Sequence, residues 1–214
     1  YHVHISSSGA AVVVSDSWRA YLWYRGKTPK LLAADLLEFD LQGNALDAEG
    51  KRVAGGASDS VQSQMPVLFD ADKIGRDGHI ISVFPGLHEG EVTAMSDDGS
   101  VLIGNASIEH AVYGQLEGYY EEWAFQSDAS DGVHLIKKEK GWGDMSSAAL
   151  SRDGSTACFQ VSYQQASSPD GSIGTSESRL VIVERSGRRI RLPLLHADDK
   201  ECYVYCASRD RASL

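Results

Sequence analysis

The sequence predicts an all-β fold: a β-propeller of four-stranded antiparallel blades, with four complete repeats and a partial fifth. Three observations predict it. First, an aliphatic residue followed by a polar turn returns five times along the chain. The copies read His4-Ile5-Ser6-Ser7-Ser8-Gly9, Ala45-Leu46-Asp47-Ala48-Glu49-Gly50, Ala94-Met95-Ser96-Asp97-Asp98-Gly99, Ala149-Leu150-Ser151-Arg152-Asp153-Gly154 and a degraded Leu195-His196-Ala197-Asp198-Asp199-Lys200. Second, the anchors at 9, 50, 99, 154 and 200 are spaced by 41, 49, 55 and 46 residues, a period that marks stacked supersecondary units. Third, a serine stands eight residues past each anchor, at Ser17, Ser58, Ser107, Ser162 and Ser208.

The third copy shows the frame. Val92 to Ser96 reads as a short apolar strand, and Asp97-Asp98-Gly99 as a tight turn. Ser100 to Ser107 is a second strand, apolar at consecutive positions. Continuous apolarity predicts burial on both faces, between neighbouring sheets. Glu122 to Gln126 is a third strand, closed by the Ser/Asp/Gly-rich turn from Ser127 to Gly132. Val133 to Lys138 alternates and ends in lysines that guard an outer edge.

The other copies follow suit. The first places strands at Ala10 to Ser15, Arg19 to Trp23 and Lys30 to Leu32, and the second at Arg52 to Ala57, Pro66 to Phe69 and His79 to Phe84. The fourth places them at Thr156 to Val161, Arg179 to Val183 and Arg188 to Leu192. The repeats of this single domain, 1–214, run at approximately 1–40, 41–88, 89–144, 145–193 and 194–214. Only Leu31 to Leu46 offers a helical period, so one short helix or a structured loop is expected there. Two long insertions are expected, at Ile108–Glu121 and Tyr163–Ser178, the second Ser/Gly/Pro-rich. Copy five stops where its third strand should be running, which predicts an open edge.

Composition narrows the function classes. At 214 residues and 42% hydrophobic, the chain can bury a substantial core. No stretch approaches the roughly 18 apolar residues of a membrane-spanning helix, so no membrane insertion is expected. A net charge of −10 argues against nucleic acid as a partner. The chain does not begin with Met and opens without a basic-then-apolar leader, as expected of an excised piece or of a chain whose leader is removed. Cys158, Cys202 and Cys206 read as small core residues. Four residues along one strand separate the last two by about 13 Å, too far for a disulfide.

With this frame in place, the residues resemble WD40-like propeller repeats of the TolB type. Ala149 to Ser155 is similar to the family's Ser-Pro-Asp-Gly turn, and Ser178 to Gly187 to its following strand and hairpin. Ala20-Tyr21-Leu22-Trp23 after Val12-Val13-Val14 also resembles bacterial cell-surface propeller repeats. Proline is missing from the key turns, and the one intact Ser168-Pro169-Asp170-Gly171 falls out of phase. The resemblance implies a propeller with a binding role, in a periplasmic, secreted or cell-surface setting. It carries over no catalytic residue.

Candidate chemistry is sparse. Gly114 to Tyr120 places Tyr119 and Tyr120 on a loop, where exposed aromatics contact partners. With Trp123 they form the candidate binding set; Trp18, Trp23, Trp123 and Trp142 are otherwise expected to pack between sheets or cap the array. Glu121 and Glu122 are neighbours on a strand, so their side chains point to opposite faces and cannot flank one glycosidic bond. His2 and His4 share a strand face without an evident third ligand. Asp70, Asp72 and Asp77 lack the later glutamate of a calcium loop. His196, Asp198 and Asp199 occupy the fifth turn. No nucleophile elbow or phosphate loop is present. No catalytic residue, metal or cofactor is therefore expected.

The expected function is a non-catalytic binding or scaffold module that acts through protein–protein interaction, with a partner completing the open fifth repeat. The alternatives are a glycan hydrolase or lyase propeller, and a propeller gating domain of a peptidase whose catalytic part lies outside this chain.

Overall fold

Sixteen strands in four antiparallel sheets account for the regular structure of the described residues. The computed structural model describes residues 2–16, 19–32, 39–59, 64–71, 80–83, 89–110, 119–128, 132–163 and 177–193. The first sheet holds β1 His2–Ile5, β2 Ala11–Ser15, β3 Ala20–Tyr24 and β4 Lys30–Leu31. The second holds β5 Phe39–Leu46, β6 Arg52–Asp59, β7 Met65–Asp70 and β8 Ile80–Val83. The third holds β9 Glu89–Met95, β10 Val101–His110, β11 Tyr119–Asp128 and β12 Gly132–Leu135. The fourth holds β13 Trp142–Leu150, β14 Thr156–Tyr163, β15 Glu177–Glu184 and β16 Arg189–Arg191. Each sheet is a simple meander, every strand pairing with its sequence neighbour. The all-β frame of four four-stranded units matches the repeat phase.

Two local expectations are corrected. The stretch expected to hold a helix or loop, Leu31 to Leu46, ends in the eight-residue strand β5. Gly43 and Asn44 interrupt a helical pattern, but in a strand they mark the place where the register slips between Gly43 and Ala45. Tyr119 and Tyr120 do not lie on a loop. They open β11, opposite His110 and Glu109 of β10.

The cores lie between successive sheets. Val13, Leu22, Val53, Val67 and Phe69 fill the first junction. Val92, Met95, Leu102 and Phe125 fill the second. Ile103, Trp142, Met145, Phe159 and Val181 fill the third. Strand β10 shows why its apolar run is continuous: Leu102 serves the junction with the second sheet and Ile103 the junction with the fourth. Period-two geometry sends neighbours to opposite faces, and here both faces are covered. Among the described tryptophan side chains, Trp142 is buried between sheets as expected, whereas Trp23 is an exposed residue of β3. Cys158 is buried and unbridged; burial pushes its thiol up to about 11. Cys202, Cys206 and the fifth repeat lie outside the described residues.

Candidate functional site

The repeated turn is the joint between sheets. In the third sheet, Ser96 Oγ accepts the Val101 N–H at 2.9 Å and donates to Asp98 Oδ1 at 2.7 Å. Ser151 repeats the pattern with Thr156 N–H and Asp153. In the first sheet, Ser6 Oγ accepts the Ala11 N–H; in the second, Asp47 Oδ1 accepts the Lys51 N–H. The tips then bond to one another. Ser8 Oγ donates to the Ala48 carbonyl, the Ala48 N–H to the Asp97 carbonyl and the Asp97 N–H to the Arg152 carbonyl. Tyr24 Oη and Arg52 add donations to the Gly50 and Gly99 carbonyls of the following turns. The turn glycines are in the left-handed region, where only glycine is unstrained. Gly50 also packs against Ala11, and a Cβ on Gly99 or Gly154 would stand 2.8 Å from Arg52 Cδ or Val101 Cγ2. A Cβ added to Gly9, in the turn of the first sheet, would meet nothing within 4 Å, and Val3 and Ile5 on β1 are 57% and 66% exposed.

The strands run from these turns to an opposite end, where a polar groove opens. Its position follows from a bulge. The first strands of the second, third and fourth sheets each slip register near the middle, leaving Asn44, Thr93 and Ala148 unpaired, each six residues before its turn glycine, and the fourth slips a second time between Trp142 and Met145. A bulge re-aims a side chain. Asn44 Nδ2 donates to Glu91 Oε2 at 2.7 Å and to the Val92 carbonyl at 3.1 Å. Thr93 Oγ1 lies 2.6 Å from Ser147 Oγ. Asn105 Oδ1 accepts from both the N–H and Oγ of Ser147, at 2.7 and 2.8 Å. Polar side chains thereby tie the second sheet to the third and the third to the fourth.

Beside this ladder lies an open groove of about 350 Å³, lined by Gln64, Glu89, Gly90, Glu91, Asn105, Ala106 and Ser107. Its rim is fixed by the Gly90 N–H donating to the Gln64 carbonyl at 2.6 Å. Gly90 has no room for a side chain, because a Cβ would collide with the Asn105 carbonyl. Two carboxylates, two amides and a hydroxyl suit a groove that accepts hydrogen bonds and cationic groups from a ligand. Nothing in the set is arranged as a nucleophile with its base.

The sequence singles out part of this end of the molecule. Ser107, the repeat serine, lines the groove. Tyr119, Tyr120 and Trp123 sit on β11 at the same end, with Trp123 opposite Ala106 in register. Gln64, Glu89, Glu91 and Asn105 are not among the residues expected from sequence; the one available signal is their distance from the turn anchors. His2 and His4 are on β1, and burial and His2 lower the His4 pKa. Asp70 ends β7, while Asp72, Asp77, His196, Asp198 and Asp199 lie outside the described residues. Among the described residues, no group of three or more His, Cys, Asp or Glu side chains is placed to hold a metal ion.

The described residues thus form four meander sheets joined turn to turn. Solved structures agree on the fold. TolB from Acinetobacter baumannii matches with a TM-score of 0.57 and 14% identity, over 90% of this chain and 43% of that one. A putative TolB from Agrobacterium tumefaciens matches with a TM-score of 0.54 and 17% identity, over 87% of this chain and 62% of that one. A structure from a study of two prolyl endopeptidases gives 0.56 and 13%, over 89% of this chain and 29% of that one. The chain thus spans less than two thirds of the length of each. No protein-family model matches the sequence, and no curated protein matches it.

Proposed function

We propose that the four sheets are blades of a β-propeller, and that the chain is a non-catalytic module that binds another protein at the grooved end. The groove between Gln64, Glu89, Glu91, Asn105 and Ser107 carries this reading. It combines a polar, anchored floor with the end of the sheets where Tyr119 and Tyr120 begin β11. Propellers host unrelated functions, so the site and not the fold supports the assignment. A periplasmic, secreted or cell-surface setting belongs to the same proposal and rests on the likeness to TolB.

The test is site-specific photo-crosslinking in the native host, with the crosslinker at Ser107 and a control at Lys30 on the outer strand β4. Ser107 is expected to capture one protein, which rebinds when purified and is lost in a Glu89→Lys, Glu91→Lys variant. Equal capture at Lys30, or none at Ser107, overturns the reading.

A partner that completes the open fifth repeat, which lies outside the described residues, belongs to the same proposal. Gly50, Gly99 and Gly154 each pack on the preceding sheet, whereas a Cβ on Gly9 would meet nothing within 4 Å and Val3 and Ile5 are exposed among the described residues. The exposed face of β1 supports the partner reading, because a sheet of the same repeat set against it would extend the array. Light scattering showing a monomer with unaltered behaviour in Ile5→Asp, under native conditions, counts against such a partner.

A second reading, a propeller unit of a longer peptidase, draws on the likeness to the prolyl endopeptidase study and to an acylaminoacyl peptidase, which matches with a TM-score of 0.52 at 8% identity. The mass of the natural polypeptide separates the two: a catalytic domain fused to this sequence selects the peptidase.

A further inference from the structure

We propose that Arg189 and Arg191 form a second binding site, distinct from the groove, for carboxylates of an acidic polypeptide, and that Glu139 of this chain occupies it at rest. The two arginines lie two apart on β16, so they share a face of the strand. Each is laid on an aromatic ring. The Arg189 guanidinium carbon is 5.5 Å from the Trp142 ring centroid, and that of Arg191 is 5.8 Å from the Tyr163 ring centroid. Trp142 and Tyr163 are cross-strand partners of β13 and β14. Their rings meet edge to face, with centroids 6.5 Å apart. This floor restrains the guanidiniums through cation–π contact.

One carboxylate spans the pair. Glu139 Oε1 is 3.4 Å from Arg189, and its Oε2 is 2.5 Å from Arg191. The resident group shows which ligand chemistry the arginine fork accepts. The floor beneath it holds further unused donors. Trp142 is more than nine-tenths buried, and its Nε1 has no hydrogen-bond partner. Tyr163 Oη is likewise buried and unpartnered.

The setting is cationic on an acidic chain. Lys137 and Lys140 flank Glu139 and are exposed, in a protein of net charge −10. Ion pairs that reach solvent hold weakly; Arg191 is 58% exposed and Glu139 35%, so Glu139 is displaceable. As a tethered group, however, it competes at high effective concentration. The site is therefore masked in the resting chain, and removing the Glu139 charge unmasks it.

The experiment measures fluorescence anisotropy of a labelled hexaglutamate peptide at low ionic strength. Glu139→Gln is expected to bind at least about five-fold more tightly than the wild type, and the gain should shrink as salt screens the pair. Adding Arg189→Gln and Arg191→Gln should abolish the gain. Glu49→Gln, the same charge change at an exposed turn, should leave binding at the wild-type level. The proposal is overturned if Glu139→Gln gains nothing, if Glu49→Gln gains as much, or if the arginine double variant keeps the gain. Inorganic phosphate that displaces the peptide better than acetate at equal ionic strength overturns the carboxylate assignment. Circular dichroism confirms folding of each variant. If the glutamine pair fails to fold, Arg189→Lys with Arg191→Lys replaces it, keeping charge while losing the fork, and the same loss of gain is expected.

Discussion

The backbone N–H of Asp97 donates to the carbonyl of Arg152 at 2.6 Å, joining the turn of the third sheet to that of the fourth. The same bond runs from Ala48 to Asp97, one sheet earlier, at 2.8 Å. Each repeat is thus latched to the next by its own signature. The turn is conformationally fixed from within, by Ser96 or Ser151, and carries its stitch outward. Four consequences can be measured.

Gly154→Ala should be much more destabilising than Gly9→Ala. Both glycines have positive φ, 68° and 71°, so both substitutions carry a conformational cost of about 1–2 kcal/mol. Only Gly154 is also closed by its neighbour, since an added methyl would stand 2.8 Å from Val101 Cγ2. Overpacking adds a further ~1–3 kcal/mol. Urea unfolding of the two variants should show that difference.

Asp98 makes the third turn pH-sensitive. Hydrogen bonds from the Ser96 hydroxyl, then from Ser100, hold its carboxyl below the ordinary aspartate range. A depressed folded-state pKa contributes stability that is present above the unfolded value, near about 3.9, and is lost as pH falls through the folded value. Asp98→Asn should flatten this acid limb. Thermal melts of both proteins between neutral pH and about pH 2.5 measure it.

Asn105→Ala should open the grooved end. Asn105 Oδ1 is an acceptor for both donors of Ser147. Leaving those partly buried groups unmatched costs about 1–3 kcal/mol. Amide exchange should quicken at Ser147 and along the start of β13, while the turn at Ser151 keeps its protection. Uniform acceleration across the fourth sheet would show that Asn105 supports the whole unit.

Cys158 should resist thiol reagents in the folded chain. Burial raises its pKa to about 11, leaving little thiolate at about pH 8 as well as little access. Peptide-level mass spectrometry after alkylation should find Cys158 modified only in denaturant. Rapid native labelling would mean that the fourth sheet opens locally.

Much of the fold is legible because it is repeated. Gly9, Gly50, Gly99 and Gly154 mark the turns, and Val101-Leu102-Ile103 marks a strand covered on two faces. The strand at Phe39–Leu46 is hidden because Gly43 and Asn44 resemble a chain break locally, while in the sheet they accommodate a bulge. Tyr119 and Tyr120 read as loop residues because strand β11 is longer than its apolar segment, Trp123 to Phe125. Pairing with His110 and Glu109 extends it. Of the groove, Ser107 is visible as part of the period, but Glu89, Glu91 and Asn105 carry no motif of their own.

The sequence by itself determined the turns, the phase and the strand after each turn, which follow from local patterns of glycine, serine and apolar runs. Those signals are local because φ and turn hydrogen bonds depend on a few consecutive residues. Only the tertiary structure decided which polar residues meet. Asn44 and Glu91 are 47 residues apart, and Glu139 and Arg191 are 52 apart. Neither pair has a local cause. Each exists because one sheet packs on the next and a bulge or an edge strand turns a side chain toward its neighbour.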